Sequence, residues 1–191
     1  MTPDSPVVFW QYFDIYVLSV LTIVIYALLA AHKRKNGELL TTISQTVAYS
    51  KSSAIVFAVA MIICYPLYYA FLWFWVGPRT HMPAAFYYLI IPAAVAEAVF
   101  VLIPATMGKR KYIHIFGAAV VGLAMFLLAL LILIYGAPLH ILSRILLTVF
   151  ILIAISSVWL LRQHKYRKHT FTIETTYVLT FLIAVSFVAH L

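Results

Sequence analysis

Residues 109–135 read KRKYIHIFGAAVVGLAMFLLALLILIY, in which three cationic side chains precede an uncharged and strongly apolar run. A helix needs about 20 apolar residues to cross the hydrocarbon layer of a bilayer, and the run over 112–135 is long enough. The stretch therefore predicts a transmembrane helix with basic residues at its N-terminal end. The same unit, a short polar link followed by a long apolar stretch, recurs along the chain.

Six such stretches occupy most of the 191 residues. Each is long enough to cross a bilayer, and each is bounded by charge, Gly or Pro. The links between them are short, so we expect residues 1–191 to form a single transmembrane domain. The predicted fold class is all-α, a polytopic six-transmembrane-helix bundle. The predicted spans are 8–31, 53–76, 83–106, 112–135, 139–161 and 171–190.

The composition supports a membrane protein rather than a soluble one. Hydrophobic residues make up 65% of the chain and charged residues 9%, whereas soluble domains average about 25% charged residues. Apolar side chains can face lipid tails, so a bilayer is the solvent that suits this composition. The single cysteine, Cys64, lies in an apolar run and reads as a small buried hydrophobe.

The positions of the basic residues predict the topology. Links one, three and five carry 11 of the 13 Lys and Arg residues, and basic links stay on the cytoplasmic side of a membrane. Links two and four carry one each, Arg79 and Arg144, so both termini are expected outside. We predict a multi-pass protein of the cytoplasmic membrane, and the lack of a glycosylation acceptor favours a prokaryotic source. The 11 residues are Lys33, Arg34, Lys35, Lys51, Lys109, Arg110, Lys111, Arg162, Lys165, Arg167 and Lys168.

The same placement decides which partners to expect. The net charge of +8 does not indicate nucleic-acid binding, because the basic residues lie at the feet of apolar spans, where they meet anionic head groups. We expect membrane lipids as partners, and other membrane-protein subunits, but no nucleic acid. No cofactor is expected. His81, His140 and His190 stand at three outer helix ends without ligand-like spacing, so no metal site is expected either.

The longest link, 32–51, has an amphipathic pattern. Leu39, Leu40, Ile43 and Val47 recur at steps of three to four residues, with polar residues between them. We expect a helix lying flat on the cytoplasmic membrane surface. The alternative is a polar loop with scattered hydrophobic residues.

Glu97 is the leading candidate for a functional residue. It lies near the middle of the span 83–106, where a charged side chain costs about 2.5–3.5 kcal/mol on insertion scales. Two interpretations stay open: a neutral, protonated carboxyl that donates a hydrogen bond to a neighbouring helix, and a proton or cation site. Pro92 is a second candidate, since it leaves the carbonyl of Tyr88 without its helical partner and bends the helix close to Glu97.

Two further groups of polar residues are weaker candidates. His114 and Glu174 should both lie just inside the cytoplasmic interface, and a His–carboxylate pair there would titrate near neutral pH. At the outer mouth, Asp14 could pair with Arg79 or Arg144. The alternative for each of these residues is a contact with lipid head groups.

Aromatic residues and small residues suggest how the spans are placed and packed. The outer ends of the first three spans are rich in Phe, Tyr and Trp, which are typical of membrane interfaces. An outward-facing groove for a lipid or quinone-like molecule is a second interpretation. Ala118 and Gly122 are four residues apart, which favours a close helix approach within the bundle or between subunits. The aromatic residues are Phe9, Trp10, Tyr12, Phe13, Tyr68, Tyr69, Phe71, Trp73, Phe74, Trp75, Phe86, Tyr87 and Tyr88.

One short segment carries a resemblance. The run Ile103-Pro104-Ala105-Thr106-Met107-Gly108, followed by Ile113-His114 at the start of the fourth span, resembles small uncharacterised prokaryotic six-helix membrane families. More distantly, the chain resembles the DRAM/Sfk-like membrane proteins. The resemblance implies the six-helix fold and a role in membrane organisation or lipid regulation, and it implies no catalytic residue.

These observations favour a non-enzymatic membrane protein that acts as an accessory, regulatory or lipid-associated component, as a subunit of a larger membrane complex. Two alternatives remain. One is a proton- or cation-linked transporter or channel that uses Glu97. The other is a membrane-embedded enzyme, or a quinone- or haem-binding protein, that uses the histidines.

Overall fold

The computed structural model describes five long helices and the turns between several of them. The helices are α1 (Lys51–Phe71), α2 (Ala84–Leu102), α3 (Lys109–Tyr135), α4 (Ile141–Arg162) and α5 (Thr170–His190). The residues described are 51–102, 109–136, 139–163 and 169–190, together with Val20, Val24, Ala27 and Tyr166. Every long element in these ranges is helical, which confirms the all-α class for this part of the chain.

The helix bounds follow the predicted spans 53–76, 83–106, 112–135, 139–161 and 171–190 to within a few residues, apart from 103–106, which lie outside the described residues. Three helical segments are long and apolar enough to cross a membrane: Ala54–Arg79, Tyr112–Tyr135 and Ile141–Arg162. Ala84–Val99 and Thr172–Val188 are shorter apolar helices. The first predicted span, 8–31, and the link 32–51 lie almost entirely outside the described residues, so six spans remain a prediction.

Beyond Phe71 the first helix changes from an α-helix to the wider π-helix. Leu72–Val76 is a π-helical turn, and Gly77–Arg79 adds a last α-helical turn. The chain then reverses within four residues. Thr80 secures the reversal, because its backbone N–H and its hydroxyl both donate to the carbonyl of Val76, at 3.0 Å and 2.7 Å. This tight turn brings α2 back alongside α1.

Successive helices pack antiparallel, and α5 closes the bundle. Ser143, at the start of α4, donates to the carbonyl of Phe187, at the end of α5, at 3.3 Å. The most extensive contacts are between α2 and α3 and between α4 and α5, while α5 also contacts α3 and the π-helical turn. Arg79 and Arg144 consequently lie at one end of the bundle, and the starts of α1, α3 and α5 lie at the other.

Aromatic rings form the centre of the core. Phe181 of α5 is fully buried and packs against Phe150 and Tyr68, with ring centroids 5.3 Å and 6.4 Å apart. Tyr68 in turn contacts Phe71 at 6.0 Å. Large apolar side chains also cover the outside: Tyr88 is 72% exposed and Phe116 is 71% exposed. A surface this apolar suits lipid rather than water.

The core corrects the interpretation of the outer aromatic residues. They are not all interface residues, because Tyr68, Phe71, Trp75 and Phe86 are buried in the bundle. Sequence position alone could not separate the core-facing rings from those that face outward, such as Phe74. The buried position of Cys64 agrees with its predicted role as a small hydrophobe.

Candidate functional site: the carboxyl of Glu97

Glu97 belongs to the face of α2 that packs into the bundle. Phe86, Ile90, Ala93 and Glu97 are all buried, and their spacing of three to four residues places them in one stripe. Glu97 is only 2% exposed. The helix therefore directs this carboxyl toward its neighbours and away from the outer surface.

Two tyrosines of α1 hydrogen-bond the Glu97 carboxyl. The hydroxyl of Tyr69 donates to Oε2 of Glu97 at 2.5 Å. The hydroxyl of Tyr65, one helical turn earlier, also donates a hydrogen bond to this carboxyl. The two tyrosine rings lie 6.4 Å apart between centroids. Because the tyrosines and the carboxyl come from different helices, these bonds tie α1 to α2.

Hydroxyl groups here take the place usually filled by a cation. Intramembrane acidic residues commonly pair with a basic group or with backbone, but within the described ranges no Lys, Arg or His forms an ion pair with Glu97. A buried carboxyl without a hydrogen-bond donor would carry a large desolvation penalty. The two tyrosine hydroxyls lower that penalty, so the site is satisfied by the fold itself.

The donor set indicates what the site could hold. One carboxyl and two hydroxyls fall short of the six or more oxygen ligands that a hard metal cation prefers, and both hydroxyls point their hydrogens at the carboxyl. Over the described part of the chain, no group of three or more His, Cys, Asp or Glu side chains is placed to hold a metal ion. A proton is therefore the ion that this arrangement accommodates best.

Pro92 does not line the Glu97 site. It lies inside α2, as predicted, but its side chain is exposed on the outer face. Five residues separate Pro92 from Glu97, which at 3.6 residues per turn places them about 140° apart around the helix. Any influence of Pro92 on Glu97 must therefore act through the course of the helix rather than by contact.

The structure places His114 and Glu174 on neighbouring helices. His114 is 6% exposed near the start of α3, and Glu174 is half-buried near the start of α5. These helices are in contact and run in the same direction. The arrangement is compatible with the predicted pair, which stays a prediction.

The outer-mouth candidates are divided between described and undescribed residues. Arg79 and Arg144 are both exposed at the same end of the bundle. The guanidinium of Arg79 lies over the ring of Trp75, 4.3 Å from the ring centroid. Asp14 lies outside the described residues, so its pairing with either arginine is untested.

The small-residue pair on α3 does not make the expected close contact within the described bundle. Ala118 is exposed, and a Cβ atom added to Gly122 would meet nothing within 4 Å. The carbonyl of Gly122 instead accepts a hydrogen bond from the hydroxyl of Tyr177 at 2.5 Å. Within this part of the chain, α3 is joined to α5 by a side-chain hydrogen bond rather than by backbone proximity. A contact between subunits remains a prediction.

Tyr65 and Tyr69 are the site residues that sequence reasoning missed. In the sequence, Tyr69 resembles the interface aromatic residues around it, and nothing distinguishes Tyr65. A signal was present, because Tyr65 precedes the predicted link 77–82 by 12 residues and Glu97 follows it by 15. An antiparallel helix pair with that link would place Tyr65 at a depth similar to that of Glu97, with Tyr69 one helical turn nearer the link.

Comparison with known proteins adds no homologue. No family model, curated protein or solved structure matches this chain.

Proposed function

We propose that this chain is a non-enzymatic, six-span integral protein of a prokaryotic cytoplasmic membrane, with both termini outside. It acts as an accessory, regulatory or lipid-associated component and as a subunit of a larger membrane complex. The weak resemblance to families with suggested roles in membrane organisation accords with this proposal.

The observation that carries the proposal is the way the buried carboxyl is satisfied. Glu97 receives hydrogen bonds from Tyr69 and Tyr65, and both donors belong to the adjacent helix. A polar group that is satisfied within the fold joins helices without needing a ligand, as polar side chains commonly do in membrane bundles. The most conspicuous polar group of the described interior thus has a structural use.

The outer surface supports the accessory role. Large apolar side chains such as Tyr88, Phe116 and Ile141 stand outward from α2, α3 and α4. Packing between membrane helices depends on van der Waals contact and not on exclusion of water. Surfaces of this kind are suited to lipid chains and equally to the helices of a partner subunit.

A second function, proton-linked transport past Glu97, is favoured by one specific observation. The carboxyl is an ionisable group inside a membrane segment, and within the described residues it has no cationic partner. Ionisable groups in this position often mark proton or ion pathways. This candidate needs a proton to reach and leave Glu97, which the structural role does not require.

One experiment separates the two functions. The parent protein, Glu97→Gln and a control, Glu38→Gln, would be reconstituted in vesicles that contain a pH-sensitive dye, and a pH step would be applied. Glu38 is an acidic residue of the predicted link 32–51, so it lies outside every predicted span. The proposal predicts that all three dissipate the gradient no faster than empty vesicles. Dissipation by the parent and by Glu38→Gln that is abolished in Glu97→Gln would establish transport and overturn the proposal.

The accessory role has its own measurement. The tagged protein would be extracted from its native membrane in mild detergent and analysed for stoichiometric partners. We expect recovery with another membrane-protein subunit, because the apolar outer faces then have a protein to pack against. Recovery of a clean monomer at every detergent concentration would contradict that role.

A further inference from the structure

Arg79 is held in a defined position at the turn between α1 and α2. Its guanidinium stacks on the ring of Trp75 at 4.3 Å from the centroid, and Trp75 itself is 9% exposed and part of the core. Stacking on a buried ring restricts the side chain while leaving the N–H groups at the edge of the guanidinium plane free to bind. Arg79 as a whole is exposed, so these donors can reach a ligand.

The backbone under Arg79 is also fixed. Both donor groups of Thr80 bind the carbonyl of Val76, and the backbone N–H of Met82 donates to the carbonyl of Gly77 at 3.0 Å. His81 takes the left-handed conformation, with φ of 54°. Because these hydrogen bonds already fix the turn, the protein loses little additional conformational entropy when the Arg79 guanidinium binds a ligand.

The charge of Arg79 is not neutralised by any acidic residue of the described part of the chain. The acidic residues there are Glu97 and Glu174. Glu97 lies about 20 Å from the start of α2, which is next to this turn, and Glu174 lies at the opposite end of the bundle. Arg79 also forms no ion pair within these ranges. Among the described residues, therefore, no carboxylate weakens the attraction of the guanidinium for an anion.

Exposed apolar side chains precede Arg79 in the helical segment that leads to the turn. Phe74, five residues earlier in the π-helical turn, is 64% exposed, and Pro78 beside Arg79 is exposed as well. A ligand that binds the guanidinium can therefore lay an apolar chain along the adjacent helix. A free anion would gain nothing from this surface, so the neighbourhood matches a lipid better than a soluble ion.

We propose that Arg79, stacked on Trp75 at the α1–α2 turn, binds the phosphate group of a phospholipid whose acyl chain packs against Phe74. A phosphate can accept two parallel N–H bonds from a guanidinium, which makes arginine the better partner for this group. The lipid lies in the leaflet at the Arg79 end, which is the outer leaflet in the predicted topology. This inference rests on the proposed function in that the chain must lie in a bilayer.

The test compares two arginines at the same end of the bundle. Arg144 is exposed like Arg79, but none of the described residues places an aromatic ring over it. The parent protein, Arg79→Gln, Arg79→Lys and Arg144→Gln would be purified in non-ionic detergent. Each would be mixed with phosphatidylglycerol, with diacylglycerol carrying the same chains, or with inorganic phosphate, and bound molecules would be counted by native mass spectrometry.

We expect one phosphatidylglycerol molecule to bind the parent and Arg144→Gln with similar affinity. Loss of charge-assisted hydrogen bonds should weaken binding about tenfold or more in Arg79→Gln. Arg79→Lys should bind with intermediate affinity, because it keeps the charge and loses the two-pronged geometry. Diacylglycerol should bind weakly to all four proteins.

Three results would overturn the inference: equal weakening in Arg79→Gln and Arg144→Gln, equal binding of diacylglycerol and phosphatidylglycerol to the parent, or displacement of the lipid by millimolar inorganic phosphate. The last would identify a free-anion site. Thermal unfolding of each variant shows whether it is folded. If Arg79→Gln does not fold, Arg79→Lys is compared with the parent instead. If the protein binds no lipid but is soluble only in detergent, this inference is wrong while the assignment as a membrane protein is unaffected.

Discussion

A hydrogen bond between one tyrosine and one carboxyl is the most informative single contact in this molecule. Tyr69 reaches Oε2 of Glu97 at 2.5 Å, in an interior where no cation of the described residues neutralises the acid. In a low-dielectric interior, a satisfied polar pair is stable, whereas either member left alone is costly. The strength of this contact is therefore measurable by removing one partner at a time.

Removing the hydroxyl of Tyr69 should destabilise the protein. We expect Tyr69→Phe to lower the free energy of unfolding by about 1–2 kcal/mol, since a buried acceptor loses one donor. Tyr88→Phe is the matched control, because Tyr88 is 72% exposed on the neighbouring helix. Reversible unfolding in mixed micelles measures both changes.

A double-mutant cycle confines the effect to the pair. In a Glu97→Ala background, Tyr69→Phe should cost much less than it does in the parent. An undiminished cost would mean that Tyr69 stabilises the bundle through some other contact, and the assigned role of the hydrogen bond would be wrong.

The α1–α2 hairpin is the element that positions both the Glu97 cluster and the Arg79 turn. Its π-helical turn, Leu72–Val76, is followed at once by Gly77, against which the ring of Tyr87 packs closely. Tyr87 also packs against Trp73, with ring centroids 5.0 Å apart. The absence of a side chain at residue 77 leaves the space that the ring of Tyr87 occupies in this approach.

Adding a methyl group at position 77 should therefore disturb the hairpin. A Cβ atom there would lie 2.6 Å from the hydroxyl oxygen of Tyr87 and 2.9 Å from two of its ring carbons. We expect Gly77→Ala to cost about 1–3 kcal/mol, as overpacked sites commonly do. Thermal unfolding in detergent measures the change.

Gly122→Ala is the matched control for that substitution. A Cβ atom at Gly122 would meet no atom of the described residues within 4 Å, and alanine is favoured over glycine inside a helix by up to about 1 kcal/mol. Gly122→Ala should be neutral or stabilising. Equal destabilisation by the two substitutions would show that the Tyr87 contact does not limit the hairpin.

At the scale of the whole molecule, the antiparallel order of the helices separates the charges between the two ends of the bundle. Arg79 and Arg144 occupy one end, while Lys51, Arg162 and the first turn of α3 occupy the other. This separation agrees with the alternation of basic links along the sequence. Which end faces the cytoplasm follows from the positive-inside rule and stays a prediction.

Cysteine labelling measures the orientation directly. In a Cys64→Ala background, His81→Cys should react with a membrane-impermeant maleimide in intact cells, and Lys165→Cys should react only after permeabilisation. Asp4→Cys should behave like His81→Cys if both termini are outside. The opposite pattern would reverse the orientation, and reaction of all three in intact cells would be incompatible with the predicted topology.

The helices from residue 51 onward were predictable because a run of about 20 apolar residues is a local property of the chain. Glu97 was predictable for a similar reason, since a carboxyl in the middle of such a run is costly whatever surrounds it. The aromatic residues were harder to place, because Tyr68 and Phe74 look alike in sequence although one is buried and the other is exposed.

By itself, the sequence determined the helical class, the extent of the apolar segments, the sorting of charges and the presence of one acid in the middle of an apolar segment. Only the tertiary structure decided that Tyr65 and Tyr69 satisfy that acid, that Pro92 faces away from it and that Arg79 stacks on Trp75. The physical reason is that apolar length and charge are properties of single segments. A hydrogen bond or a ring stack depends on the register and rotation of packed backbone, which no segment specifies alone.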